Sequence, residues 1–132
     1  MIAVLAGGVG AARFLDGLVK VVPPNQVTVV GNTGDDAEIH GLHVSPDLDT
    51  VTYTLAGVSN AETGWGIAGD SFRTMDALGR FGSPTWFRLG DLDLATHLYR
   101  TERLFAGATL SSVTKEIADA FGLEVGILPM SD

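Results

Sequence analysis

Ile2–Gly31, I-A-V-L-A-G-G-V-G-A-A-R-F-L-D-G-L-V-K-V-V-P-P-N-Q-V-T-V-V-G, is the stretch that decides the fold. Ile2 to Ala6 is apolar throughout, as a parallel strand covered on both faces requires. Gly7-Gly8-Val9-Gly10 then turns the chain, and Ala11 to Lys20 has helical spacing with Phe14, Leu15 and Leu18 on one face. Pro23-Pro24 stops that helix, and Val27 to Val30 returns as a β-branched strand ending at Gly31. Strand, glycine loop, helix and strand make a βαβ unit with a right-handed crossover. The expected class is therefore α/β, a mainly parallel sheet flanked by helices. A glycine loop feeding a helix N-terminus lets backbone N–H groups approach an anion. Gly8 and Gly10 match the first positions of the dinucleotide fingerprint, but Arg13 stands where Gly or Ala is wanted. No Gly-Lys-Ser/Thr ending follows, which excludes a Walker phosphate loop. Another kind of phosphate loop and a simple tight turn both stay open. Arg13 is correspondingly a second charge for the phosphate or a solvated helix residue.

The second strand delivers Asn32-Thr33-Gly34-Asp35-Asp36, and Ser45-Pro46-Asp47-Leu48-Asp49-Thr50 follows. Clustered carboxylates repel one another unless a cation sits among them. Mg²⁺ suits them, since it takes oxygen ligands from one or two carboxylates and substrate phosphates. Turns and helix caps use the same residue types, so spacing alone leaves both readings open. Pro46-Asp47 starts a helix and Gly57 ends it, which puts Asp49 in the first turn, where the macrodipole favours a carboxylate.

Further along, Gly64-Trp65-Gly66 lies in a loop, where the Trp either offers a flat surface to an aromatic ligand or plugs the core edge. A helix capped by Asp70 or Ser71 runs to Arg80, and Thr85 to Leu89 has strand composition. Asp91 to Phe105 reads as a helix with Leu94, Leu98 and the Thr101–Phe105 end as its apolar stripe, His97 and Arg100 lying beside it. Asp93 and His97 are an i, i+4 pair on that helix, either a helix-face pair or a shared metal edge, with the structural pair preferred. Thr109 or Ser111 opens a helix to Phe121, and Val125 to Leu128 is the last strand.

Composition narrows the function. The absence of cysteine excludes disulfides, thiolate zinc sites and cysteine nucleophiles. A formal charge of −8 argues against wrapping duplex nucleic acid, which rewards phosphate neutralisation. No apolar run approaches the ~20 residues that span a bilayer, and the start lacks a basic n-region, so no membrane contact and a cytoplasmic location are expected.

Taken together, G-G-V-G-A-A-R-F-L (Gly7–Leu15), N-T-G-D-D (Asn32–Asp36), S-P-D-L-D-T (Ser45–Thr50), G-W-G (Gly64–Gly66) and W-F-R-L-G-D-L-D-L-A-T-H-L (Trp86–Leu98) resemble the 2-phospho-L-lactate transferase family of coenzyme F-420 biosynthesis. The glycine loop looks most like the actinobacterial branch, the phosphoenolpyruvate transferases. The resemblance implies a three-layer Rossmann-like fold, with residues 1–132 as a single domain, the N-terminal portion of a longer transferase. It implies transfer of a 2-phospholactyl or phosphoenolpyruvyl group from a GDP-linked donor to 7,8-didemethyl-8-hydroxy-5-deazariboflavin. The products are F-420-0, or its dehydro form, and GMP. Mg²⁺ and a homodimer are implied with it.

By the same resemblance Asp49 and Arg88 contact the deazaflavin, with Asp49 or Asp35 as proton acceptor. Asp49, Asp35 and Asp36 hold the metal, and Gly8, Gly10, Arg13, Asn32, Thr33, Thr50 and Trp65 complete the substrate sites. Asp49→Ala is expected to abolish metal-dependent transfer and leave the fold intact. Two departures stand out: Leu92 occupies a position where many relatives have Arg, and Arg88 one where Lys is frequent. Three alternatives are a nucleotide-sugar transferase using Asp47-Leu48-Asp49 as a D-x-D, a Rossmann oxidoreductase, and an inactive fragment. The oxidoreductase is weakened by Arg13 and by the lack of an acidic residue directly ending the second strand.

Overall fold

A computed structural model describes residues 1–132. Strand β1 (Ile2–Ala6), helix α1 (Val9–Leu18) and strand β2 (Val27–Gly31) form the expected βαβ unit. The strands are parallel in a register running from Ile2↔Val27 to Ala6↔Gly31. Helix α1 starts two residues before the predicted Ala11, because the glycine loop is short and Gly8 is already its N-cap. Strands β3 (Ala37–Ile39) and β4 (Leu42–Val44) form an antiparallel hairpin that sequence did not signal. His40 and Gly41 turn it, both with positive φ (53° and 75°), the backbone that a two-residue hairpin with right-handed strand twist requires. Helices α2 (Pro46–Leu55), α3 (Arg73–Arg80), α4 (Asp91–Phe105) and α5 (Leu110–Ala120) follow, and strand β5 (Gly126–Pro129) closes the element order. β5 pairs in parallel with the free side of β2, giving the order β1-β2-β5.

Burial separates the two faces of this sheet. Val27, Val29 and Ile127 point into a core filled by Ala12 and Leu15 of α1, Leu48 and Val51 of α2, and Leu110 and Ala118 of α5. Leu5 and Leu128 lie on the other face and are 84% and 45% exposed. Residues 1–132 thus build two of the three expected layers, the sheet and the helices on one side of it. Gly31 lets α2 press onto the end of β2, since a Cβ there would lie 2.6 Å from Leu48 Cδ2.

Two expectations fail on packing. Thr85–Leu89 is not a strand. No neighbouring strand is there to pair with it, and Leu89 and Phe87 instead join Val44, Met75 and Leu94 in a second apolar cluster. On α4, Leu98 and Phe105 are exposed, whereas Asp93, Thr96, His97 and Arg100 are buried with Leu94. On α1, Phe14 likewise faces solvent.

The entrances to α3 and α4 exchange caps. Neither Asp70 nor Ser71 caps α3. Asp91 does so from the first turn of α4, accepting hydrogen bonds from Arg73 N (3.1 Å), Thr74 N (3.0 Å) and Ser71 Oγ (2.7 Å). Asp70 caps α4 in return, accepting from Leu92 N (2.9 Å) and Asp93 N (3.1 Å). The Ser71 hydroxyl and the Thr74 N–H hold the Asp91 carboxyl well below the usual carboxylate range. A depressed folded-state pKa contributes stability that is present above the unfolded value, about 4, and lost as pH falls. Melting temperature is therefore expected to decline as pH drops below about 4, and less steeply in Asp91→Asn. An equal decline in that variant would assign the acid sensitivity to other carboxyls.

Candidate functional site

A cavity of about 400 Å³ opens where α2 and α4 meet the loops on either side of α3. From α2 come Asp49, Thr50 and Tyr53; from α4, Asp93 and His97; from the loops, Trp65, Trp86, Phe87 and Arg88. Trp65 is seated by its glycines: Gly64 has φ +78°, and a Cβ there would lie 2.7 Å from Val9 Cγ1. The loop tip therefore rests on the first residue of α1. Trp86 and Phe87 pack edge to face at 5.6 Å. Arg88 lies 4.6 Å over the Phe72 ring, with Nη1 3.5 Å from Asp76 Oδ1. Arg88, in the stretch with strand composition, is thus a loop Arg at the cavity wall.

The cavity floor is a buried polar network. Tyr53 Oη donates to Asp93 Oδ1 at 2.6 Å and also lies 2.7 Å from Thr96 Oγ1. His97 Nε2 is 3.1 Å from Asp93 Oδ2, and its Nδ1 is 3.6 Å from Asp49 Oδ2. Arg100 grips Asp49 with Nη2 on Oδ1 and Nη1 3.3 Å from Oδ2. Burial pushes the Asp49 carboxyl above the usual carboxylate range, against the pull of Arg100 and His97. Arg100, which does not deprotonate in proteins, is the group that supports a carboxylate there. Asp93 shifts the other way. Burial opposes its charge too, but hydrogen bonds from His97 and Tyr53 hold its carboxyl low. Tyr53 is pushed up by burial and by the neighbouring Asp49 and Asp93.

A second group lies at the ends of β1 and β2. Asn32 Nδ2 donates to Asp47 Oδ2 (2.8 Å) and Asp35 Oδ2 (3.3 Å), while its Oδ1 accepts from Gly34 N (3.0 Å), which fixes the amide orientation. Gly8 sits against Asp47, whose Oδ1 would be 2.9 Å from a Cβ. Thr33 Oγ1 is 2.6 Å from Ser131 Oγ. Asp36 Oδ2 accepts from Ser45 Oγ (2.7 Å) and lies 3.0 Å from His43 Nε2, while its Oδ1 is buried without a partner.

The nominated residues thus divide. Asp49, Thr50, Trp65 and Arg88 converge on the cavity. Gly8, Asn32 and Asp35 gather with Asp47 at the strand ends, with Thr33 next to Asn32. Asp36 links the two groups through Ser45, whose carbonyl accepts from Asp49 N at 3.0 Å. Gly10 and Arg13 are exposed on α1, and Arg13 makes no ion pair. Sequence reasoning missed Tyr53, Trp86, and the burial of His97 and Arg100. A signal existed: Asp93, His97 and Arg100 recur at i, i+4, i+7, one helix face.

Asp49, Asp93 and His97 each offer a ligand atom within 4.8 Å of the others, close enough to share a metal ion. Two carboxylates and an imidazole bound to a guanidinium are a poor match for Mg²⁺, which prefers oxygen ligands and retains waters. The Asp35–Asp36 stretch suits it better. It offers only oxygens, and Asp36 Oδ1 is a buried acceptor that nothing in the protein satisfies.

The family model described as 2-phospho-L-lactate transferase CofD matches residues 2–132. The chain belongs to that family. Among its relatives, a phosphoenolpyruvate transferase of Streptomyces avermitilis is 52% identical over 132 residues, covering 99% of this chain and 41% of the relative. One of Thermobifida fusca is 48% identical over 140 residues, covering 99% of this chain and 44% of the relative. A 2-phospho-L-lactate transferase of Methanospirillum hungatei is 43% identical, covering 100% and 44%. The chain spans about two-fifths of the length of the relatives it matches. No helix is long and apolar enough to cross a membrane.

Proposed function

We propose that the cavity is the acceptor site of a transferase that moves a 2-phospholactyl or phosphoenolpyruvyl group from a GDP-linked donor to 7,8-didemethyl-8-hydroxy-5-deazariboflavin. The observation that carries this reading is the convergence of Asp49, Thr50, Trp65 and Arg88 on one aromatic-walled cavity of about 400 Å³. Small-molecule sites are concave, largely apolar and furnished with a few polar groups, and Trp faces suit a flat tricyclic ring. Arg88 and Asp49 would meet the polar edge and the side-chain hydroxyl of that ring system. Asp49, a carboxylate whose affinity for a proton is raised by burial, is the stronger candidate to take the hydroxyl proton.

The donor's diphosphate is assigned to the strand ends, where the Gly8 loop leads into the N-terminus of α1. Asp35 and Asp36 would hold Mg²⁺ there. Bound magnesium neutralises charge on the diphosphate and on the departing guanylate. The remaining contribution of the chain is positioning, which phosphoryl transfer principally requires. Asp47 turns to Asn32 and Asp49 to Arg100, so the D-x-D reading lacks a carboxylate pair facing one ion. The assembly proposed with this function is a homodimer.

Fluorescence titration with the deazaflavin tests the acceptor site. Arg88→Ala is expected to weaken its affinity about tenfold, the scale of one charge-assisted hydrogen bond. Arg13→Ala should leave it unchanged. Unaltered affinity in Arg88→Ala, or saturation that never appears in the parent chain, would refute the assignment.

A further inference from the structure

Arg100 lies behind the cavity, not in its wall, and is 1% exposed. It comes from the middle of α4 and contacts two other segments as well as its own helix. Its guanidinium holds both oxygens of Asp49 on α2, Nη1 donates to the carbonyl of His43 on β4 (3.2 Å), and the same nitrogen is 3.3 Å from His97 Nδ1. A guanidinium only donates, so a hydrogen bond to Nδ1 requires that nitrogen to be bare. The imidazole proton then sits on Nε2, which faces Asp93 Oδ2 at 3.1 Å. One buried cation thereby fixes the direction of a carboxylate and the tautomer of an imidazole, both of which line the cavity.

We propose that Arg100 is a positioning residue: it clamps Asp49, which carries the polar contact to the acceptor, and it sets the Nε2–H tautomer of His97, whose two nitrogens are turned to Arg100 and Asp93. This rests on the acceptor site proposed above. Arg serves better than Lys in that role, because its planar fork matches both carboxylate oxygens at once.

Two measurements on the full chain test it. Nitrogen-15 NMR of His97 reads the tautomer without any ligand: the expected spectrum has Nδ1 unprotonated and Nε2–H, and Arg100→Lys disturbs it. A proton on Nδ1 in the parent protein overturns the proposal. Deazaflavin titration supplies the second arm. Arg100→Lys should lose about tenfold in affinity, whereas Asp49→Asn/Arg100→Met should bind within about twofold of Asp49→Asn alone, since Arg100 then has no carboxylate to position. That double variant removes both buried charges together, so it keeps the comparison available if Arg100→Met does not fold. A further tenfold loss in the double variant overturns the proposal. Absent deazaflavin binding in the parent, with the expected His97 spectrum, would refute the acceptor site and leave the clamp standing.

Discussion

Asp49→Ala is expected to cost the fold about 3–5 kcal/mol, in addition to removing the acceptor contact. Sequence places Asp49 in the first turn of its helix, with an expectation that its loss leaves the fold intact. The structure puts it against Arg100, both nearly inaccessible to solvent. Deleting the carboxylate strands a guanidinium that cannot shed its proton and has no other counter-charge in contact. Stability of small domains is about 5–15 kcal/mol, so the variant would melt far below the parent or fail to accumulate. Asp49→Asn keeps the shape and one acceptor oxygen, and should lose less stability while still lacking the charge that takes a proton. Urea midpoints of the three proteins, read beside deazaflavin titrations, check this. An alanine variant within about 0.5 kcal/mol of the parent would mean that Arg100 finds another partner at no cost.

That contrast shows what one-dimensional patterns carry and what they omit. The unit β1–α1–β2 was legible because its apolar runs, glycines and prolines are local signals. The limits of α4 were legible for the same reason, from Gly90-Asp91 at its start to Gly107 at its end, where φ is +100°. Its orientation was not. Apolar periodicity assumes that the buried face is the apolar one, and α4 buries Asp93, His97 and Arg100 while exposing Leu98 and Phe105. Their burial depends on a partner on another helix, since Asp49 lies 51 residues from Arg100 in sequence. The acidic cluster divides for a geometric reason. Residues two apart on a helix point about 200° apart around the axis, so Asp47 and Asp49 face different neighbours despite their closeness. Thr85–Leu89 had strand composition without a strand to pair with, and the His40-Gly41 turn carried no Asn or Asp to announce it.

Gly90→Ala is expected to lower stability by about 2–3 kcal/mol and to weaken deazaflavin binding with it. The backbone is not the reason. Gly90 has φ −71° and ψ 159°, an extended conformation open to alanine. A Cβ there would lie 2.0 Å from Asp70 Oδ2 and 2.5 Å from Asp70 Cγ, so the whole carboxylate would have to leave. Its departure releases Leu92 N and Asp93 N at the entrance of α4, two amides that no turn of helix can satisfy. Asp93 is in that first turn and receives Tyr53 and His97, so the disturbance reaches the cavity floor. Gly8→Ala offers a milder comparison, meeting only the far oxygen of Asp47 at 2.9 Å. The cause can be isolated in an Asp70→Ala background, where the cap is already gone. There Gly90→Ala should add less than about 1 kcal/mol to the urea-derived loss, because only the Cβ of residue 70 remains, 3.1 Å from the new one, and it has to give by a fraction of an ångström. Equal losses in both backgrounds would remove Asp70 from the explanation and with it the reason for glycine at this position.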